Sequence, residues 1–314
     1  IIGSESILIS DMVVRACYTD GVYVSDDTSF PGSGRGLLTH KVQFDRVHCV
    51  GNRRQGMSII SGSRITVTDS VFEQTWGTAP AAGVDIEPNS SYQAVTDLSF
   101  VRCVFRDNAG HGFVINIKGG LLKHITLEDC AFLGSKKSVT LDYDPNSVIE
   151  DLTVRNCRGD GRFLFGGQTM EGVSVLRLLV DGLGIDGAGY IKVQNLGTGS
   201  DSRMRITDLT VLSSAARPLL EVAGQSAGIT IDGAHLRKSW LGPAVLLANV
   251  EDLSLSGVTV LFPNWLATDK TGPAVLVVGS RRVHVTVDSP GCGGLVRNSV
   301  AVDRSDGSVV VVER

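Results

Sequence analysis

Cys103, Cys130 and Cys157 stand 27 residues apart, each inside the same local phrase: "LSFVRCVF", "ITLEDCAF" and "LTVRNCRG". A spacing this regular commits the chain to a repeat architecture, in which each unit buries its apolar face against the next. The phrase recurs as "ITVTDSVF" at 65–72, "ITDLTVLS" at 206–213, "ITIDGAHL" at 229–236 and "LSLSGVTV" at 253–260. A loop follows each time, and then a second short apolar segment, often opened by glycine: "GVYVS", "GMSII", "GVDIE", "GFVIN". About eleven such units can be counted, at a period inside the 20–50 residue window of solenoids and arrays.

The kind of repeat follows from the alternation. Apolar and polar residues alternate with period two, which is the strand period; a helical solenoid needs 3.6. A propeller blade needs about 40–45 residues, more than these units hold. The 37 glycines and the sparse aromatics, 6% of the chain, suit short strands joined by tight corners. The expected fold is all-β: a right-handed parallel β-helix in which each strand stacks about 4.8 Å from its counterpart one turn away. No linker breaks the pattern, so residues 1–314 read as one β-helix domain, with a last rung and closing strands at about 281–314. Stacking puts Ser70, Cys103, Cys130 and Cys157 in one inward ladder, with Phe72, Phe105 and Phe132 beside it. The thiols are expected free and buried, as small apolar fillers. None of the six cysteines forms a CxxC pair, so a zinc site is not expected.

Charge and hydropathy narrow the function. A net charge of −4 and a pI near 5.9 give no nucleic-acid signature. No apolar run approaches the roughly 20 residues of a membrane helix, so neither nucleic acid nor membrane is an expected partner. No leader is visible, and the chain opens directly in the strand-like "SILISDMVV", which reads as a piece of a longer protein.

Aligning the second segments by Gly21, Gly56, Gly83 and Gly112 sorts their faces. Val84 and Ile86 point inward, so Asp85 and Glu87 of "GVDIEPN" point outward together, about 7 Å apart along the strand. That separation leaves room for a water beside a sugar ring, and like charges so close push one pKa up, which divides acid from base. Asp85 and Glu87 are the expected acid–base pair, and Asp142 from "KSVTLDYDP" is a third carboxylate two rungs on. Arg53, Arg54 and Gln55 of "GNRRQG", together with His111, Asn116 and Lys118, are expected to grip substrate. Trp76, in the long loop "EQTWGTAPAA", offers a ring for sugar stacking. The plain alternative is a solvated face whose arginines pair with the acids. Calcium is the one cofactor to be considered, through the alternating acids Asp142 and Asp144.

The stretch "RRQGMSIISGSRITVTDSVFEQTWGTAPAAGVDIEPN", residues 53–89, resembles the pectin-lyase-like superfamily of right-handed β-helices, including tailspike-like depolymerases. The resemblance implies hydrolysis, lyase elimination or epimerisation of polysaccharides by an extracellular or virion-associated protein. The departures are specific. The acid pairs of polygalacturonases are missing, the Asp-Pro-His segment of mannuronan epimerases is replaced by "DIEPN", and the calcium–arginine motif of pectate lyases is absent. The leading expectation is a glycoside hydrolase acting on an anionic polysaccharide. A uronate lyase or C5-epimerase is the second, and a non-catalytic glycan-binding or structural spike the third. Outward apolar residues downstream, Leu246 and Ala248, suggest a covered flank such as a homotrimer would provide.

Overall fold

A computed structural model describes residues 1–27, 37–143, 148–166, 170–183, 189–196, 204–214, 216–239, 242–261, 273–288, 300–303 and 310–313. The chain divides into two compact units, Ile1–Arg158 and Gly159–Arg314. Regular structure among the described residues is all strand, and no helix there is long and apolar enough to cross a membrane.

In the first unit each turn contributes three strands, and each strand pairs in parallel with its counterpart on the next turn. One sheet stacks Glu5–Ser10, His40–Asp45, Gly62–Thr68, Ala94–Val101, Leu121–Glu128 and Val148–Arg155. A second stacks the three-residue strands Val13–Arg15, His48–Val50, Val71–Glu73, Val104–Arg106 and Ala131–Leu133. A third stacks Asp20–Val24, Gln55–Ile59, Ala82–Ile86, His111–Ile117 and Lys137–Tyr143. The register is the one read from the repeats: Val22, Met57, Val84, Phe113 and Val139 line up on the inside.

The core is a set of ladders. Phe72 stacks on Phe105 at 5.5 Å between ring centroids, and Phe105 on Phe132 at 4.8 Å. Offset stacks of this kind add to the area they bury. Cys103, Cys130 and Cys157 are buried free thiols in register, each donating to the carbonyl two residues earlier; Cys292 lies outside the described residues. At the loop between the second and third sheets, buried Asn52 accepts from the Cys17 amide and buried Asn108 donates to the Phe72 carbonyl, each reaching back to the turn before.

Two corner features explain residue choice. The one-residue bend between the first and second sheets is left-handed in every turn, at Asp11, Arg46, Asp69, Arg102, Asp129 and Asn156. That conformation disfavours most side chains but is tolerated by Asp and Asn. Here alternating charge helps, since Arg46 pairs with Asp11 at 2.7 Å and Arg102 with Asp69 at 2.6 Å. The glycine at the second position of the first four third-sheet strands, replaced by Ser138 in Lys137–Tyr143, has a steric reason. A Cβ on Gly56 would lie 2.5 Å from the Gly83 carbonyl oxygen, and one on Gly83 would lie 2.6 Å from that of Gly112.

In the second unit, from Met204 on, the first- and second-sheet strands of a turn fuse, and Val245–Leu261 takes in the third-sheet strand before them as well. Met204–Ser213 and Ile229–Lys238 run on for 10 residues each, and Val245–Leu261 for 17. Phe163, Ile191, Leu220, Val245 and Val275 make the inward ladder. Lys238 is fully buried, and its Nζ donates to the carbonyls of Arg217 (2.7 Å) and Pro243 (2.8 Å). Leu246 and Ala248 are half-buried rather than fully exposed. Of the expected closing segment, Arg281–Asp288 and Val310–Glu313 form strands that pair with each other. Trp240 and Trp265 lie outside the described residues.

Candidate functional site

The expected acids lie on the outer side of the third sheet, but Asp85 is not on an exposed strip. It is 0% exposed. Its row neighbours Ser58 and Val114 are buried as well, and only Tyr23, on the first turn, is open. An outward strand position is expected to face water. Here long polar side chains fold over the sheet instead. The Gln55 amide donates from Nε2 to Asp85 Oδ2 at 2.7 Å, and the amide of Ala82 donates to Gln55 Oε1 at 3.3 Å. Asp85 Oδ1 is buried without a hydrogen-bond partner. Burial pushes the Asp85 carboxyl up to about 8, with the nearby charge of Glu87 acting the same way and Arg54 opposing it. At neutral pH Asp85 is mainly the protonated acid.

Glu87 sits two residues on, just past the strand, with its backbone amide donating to the Ile59 carbonyl at 2.9 Å. Its side chain keeps 16% exposure, so it is the carboxylate of the pair that reaches solvent. Arg54 Nη2 stands 3.7 Å from Glu87 Oε2 but is committed elsewhere. Its Nε and Nη2 both donate to Asp20, at 2.9 and 3.1 Å, and the Ser58 hydroxyl adds a third bond to the same carboxylate at 3.0 Å. The arginine does pair with an acid, then, but chiefly with one on the turn before. Asp20, which no spacing in the sequence marks, is the anchor of this corner of the site.

Adjacent Arg53 and Arg54 diverge. Arg53 lies over the Tyr18 ring, 4.5 Å from its centroid. Tyr18 is 78% exposed and Trp76 59% exposed, and backbone bonds tie their loops to consecutive turns: Arg53 to Cys17, Trp76 to Asn52, Thr78 to Arg53. Trp76 Nε1 donates to the Gly51 carbonyl at 3.2 Å, which fixes the ring at the loop surface. Tyr18, Arg53 and Trp76 therefore line one edge. Tyr18 was missed because a single aromatic in "CYTDG" carries no periodic signal.

Of the other expected residues, Lys118 is exposed and its charge acts on Asp85, while Asn116 is half-buried in register with Asp142. His111 Nε2 accepts from Lys137 Nζ at 3.2 Å. Asp142 is placed by its backbone alone; its side chain and the whole of Asp144 lie outside the described residues. Among the described residues no three His, Cys, Asp or Glu converge as a metal site.

Residues 1–136 match the family model described as "Right handed beta helix region". No curated protein matches the sequence. Among solved structures the chain is similar to the Agl-KA catalytic domain, at 9% identity and a TM-score of 0.45, over 98% of this chain and 62% of that one. It is also similar to QnrB1, a plasmid-mediated fluoroquinolone resistance protein, at 13% identity and a TM-score of 0.22, over 93% and 91% of the two chains. The chain thus spans 62% of the length of the first of these, and both likenesses are loose. The matched region and the turn-on-turn parallel pairing of the strands identify this protein as a right-handed parallel β-helix.

Proposed function

We propose that this β-helix acts on a polysaccharide, with Glu87 and Asp85 dividing base and acid roles on the outer side of the third sheet of the first unit. One observation carries the reading: a fully buried carboxyl with an unpartnered oxygen, its pKa raised by that burial, stands beside an acid that reaches solvent. A buried carboxyl whose pKa is pushed up, next to a second acid open to solvent, is the arrangement that general acid–base hydrolysis uses. Glu87 meets the incoming sugar or its water. Gln55 holds one oxygen of Asp85 and leaves Oδ1 to deliver the proton once the covering side chains part for the substrate. Tyr18 and Trp76 offer rings for stacking, and Lys118 and Arg53 favour an anionic chain.

Hydrolysis is preferred over lyase or epimerase chemistry because Arg54 is locked to Asp20. A guanidinium with both Nε and Nη2 bonded to Asp20 is not free to turn toward a C5 proton. The second reading is a non-catalytic, glycan-binding β-helix, and full burial of Asp85 favours it. A panel of acidic and neutral polysaccharides, followed by reducing-end release and by ultraviolet absorbance of unsaturated uronates, separates the readings. Reducing ends without absorbance, lost in Glu87→Gln and in Asp85→Asn, support the hydrolase. Absorbance supports a lyase, and no cleavage of any member supports the binding solenoid.

A further inference from the structure

The second unit carries a separate trough of about 580 Å³ on the outer side of its first sheet. That volume is of the size that small-molecule sites occupy. Its floor is one outward row read across five stacked strands: Ser174, Arg205, Thr230, Ser254 and His284. The strand spacing puts a new side chain every 4.8 Å or so along the row. Three are short hydroxyls that keep the floor low. The two longer ones, Arg205 and His284, are exposed and stand three strands apart, about 14 Å. At the rim Arg282 holds Asp252 through its Nε at 2.5 Å.

Arg205 is the notable member. Exposed arginines on this fold are commonly tied to an acid on a neighbouring turn, as Arg46, Arg102 and Arg282 are. Arg205 has Ser174 on one side and Thr230 on the other. Among the described residues its guanidinium makes no ion pair or hydrogen bond. An uncompensated fork of donors on a floor of hydroxyls is suited to a carboxylate borne by a hydroxyl-rich chain. The row runs across the strands, so the ligand it fits is extended in that direction.

We infer that this trough binds an acidic oligosaccharide, with a carboxylate on Arg205 and ring hydroxyls on Ser174, Thr230 and Ser254. The choice of a glycan rests on the function proposed above; the site does not share residues with it. It is an accessory binding site that holds chain without cleaving it.

The test is calorimetric titration of the whole protein with an oligogalacturonate of four to six residues, a neutral malto-oligosaccharide of equal length and inorganic phosphate. The expected result is measurable binding of the oligogalacturonate, weakened at least 10-fold in Arg205→Ala and in Ser254→Tyr, which fills the floor. The malto-oligosaccharide binds at least 10-fold more weakly than the oligogalacturonate, and Arg102→Ala, at an exposed corner of the first unit, leaves the affinity unchanged. Unchanged melting temperatures confirm that both trough variants fold, and Arg205→Lys provides a second, gentler variant that retains part of the affinity. The inference is overturned if Arg205→Ala binds within twofold of wild type or if the neutral chain binds as well. It is equally overturned if phosphate alone binds. Loss of binding in Glu87→Gln with retention in Arg205→Ala also overturns it and assigns the ligand to the first unit. Cleavage that fails everywhere while Arg205-dependent binding persists removes the proposed catalysis and leaves this site standing.

Discussion

Glu73 and Asp85 are both buried carboxylates of the first unit, twelve residues apart in the chain, and their pKa values are displaced in opposite directions. Burial works to raise both. At Glu73 it is outweighed: Arg106, in register on the next turn, donates to Oε2, and His48 Nε2 lies 2.6 Å from Oε1. Glu73 ends below the usual range. Asp85 has Ser58 and Val114 as row neighbours and a neutral amide on one oxygen, so burial prevails and it reaches about 8. The difference teaches that on a stacked sheet an acid's state is set by which residue the next turn places opposite it. Stacked against a cation, the acid becomes structural; stacked against a methyl or a hydroxyl, it keeps its proton.

The comparison can be broken by activity first. Glu87→Gln is expected to lower depolymerisation of any polysaccharide the protein cleaves at least 100-fold, within the range of general acid–base contributions. Glu73→Gln should leave turnover within a few-fold, and an equal loss in both would erase the distinction between the two acids. The next largest effect is on stability against pH. Asp85 binds its proton more tightly folded than unfolded, so stability is full below pH 4 or so and is lost as pH rises toward 8. Thermal melting should show the wild type falling by about 5 °C between pH 6 and pH 9, and Asp85→Asn removing most of that fall. Glu73 has the reverse sign. Its contribution is present above the unfolded pKa and is lost as pH falls through the lowered folded value.

Arg106→Ala should cost about 1–2 kcal/mol by denaturant unfolding, because it leaves a buried carboxylate with His48 alone. At acid pH, where Glu73 is protonated, the cost should shrink; a cost independent of pH would mean that the arginine acts by packing its stem. The smallest effect is expected at the exposed corner. Arg102→Ala removes the pair with Asp69, in which both side chains are 40% exposed or more. Its shift in melting temperature should be slight and should vanish in 1 M salt, where such pairs are screened. A large, salt-insensitive loss there would show that the left-handed bend itself depends on the pair.

Much of this was legible in the residues. The 27-residue spacing of the cysteines, the period-two alternation and the repeated glycine before "VYV", "MSI", "VDI" and "FVI" carry the strand register, because stacking makes one turn's inward position the next turn's as well. Asp85 and Glu87 were legible as neighbours for the same reason. The burial of Asp85 was not. It depends on Gln55 and the Arg54–Asp20 pair folding over the sheet, and side chains that long have no periodic signature. The parting of Arg53 toward Tyr18 from Arg54 toward Asp20 was hidden for the same reason, since two adjacent arginines look alike until their partners are placed. The trough around Arg205 also escaped notice, because its five floor residues come from five different turns and share no residue type.

The sequence by itself determined the repeat, the strand pairing and which residues share a shelf, since all three follow from period and spacing alone. Only the tertiary structure decided which of those shelves are wet, which acids keep a proton and which arginines are left uncommitted. Those outcomes depend on dielectric and on the reach of long side chains across neighbouring turns, and neither quantity is written in the order of the residues.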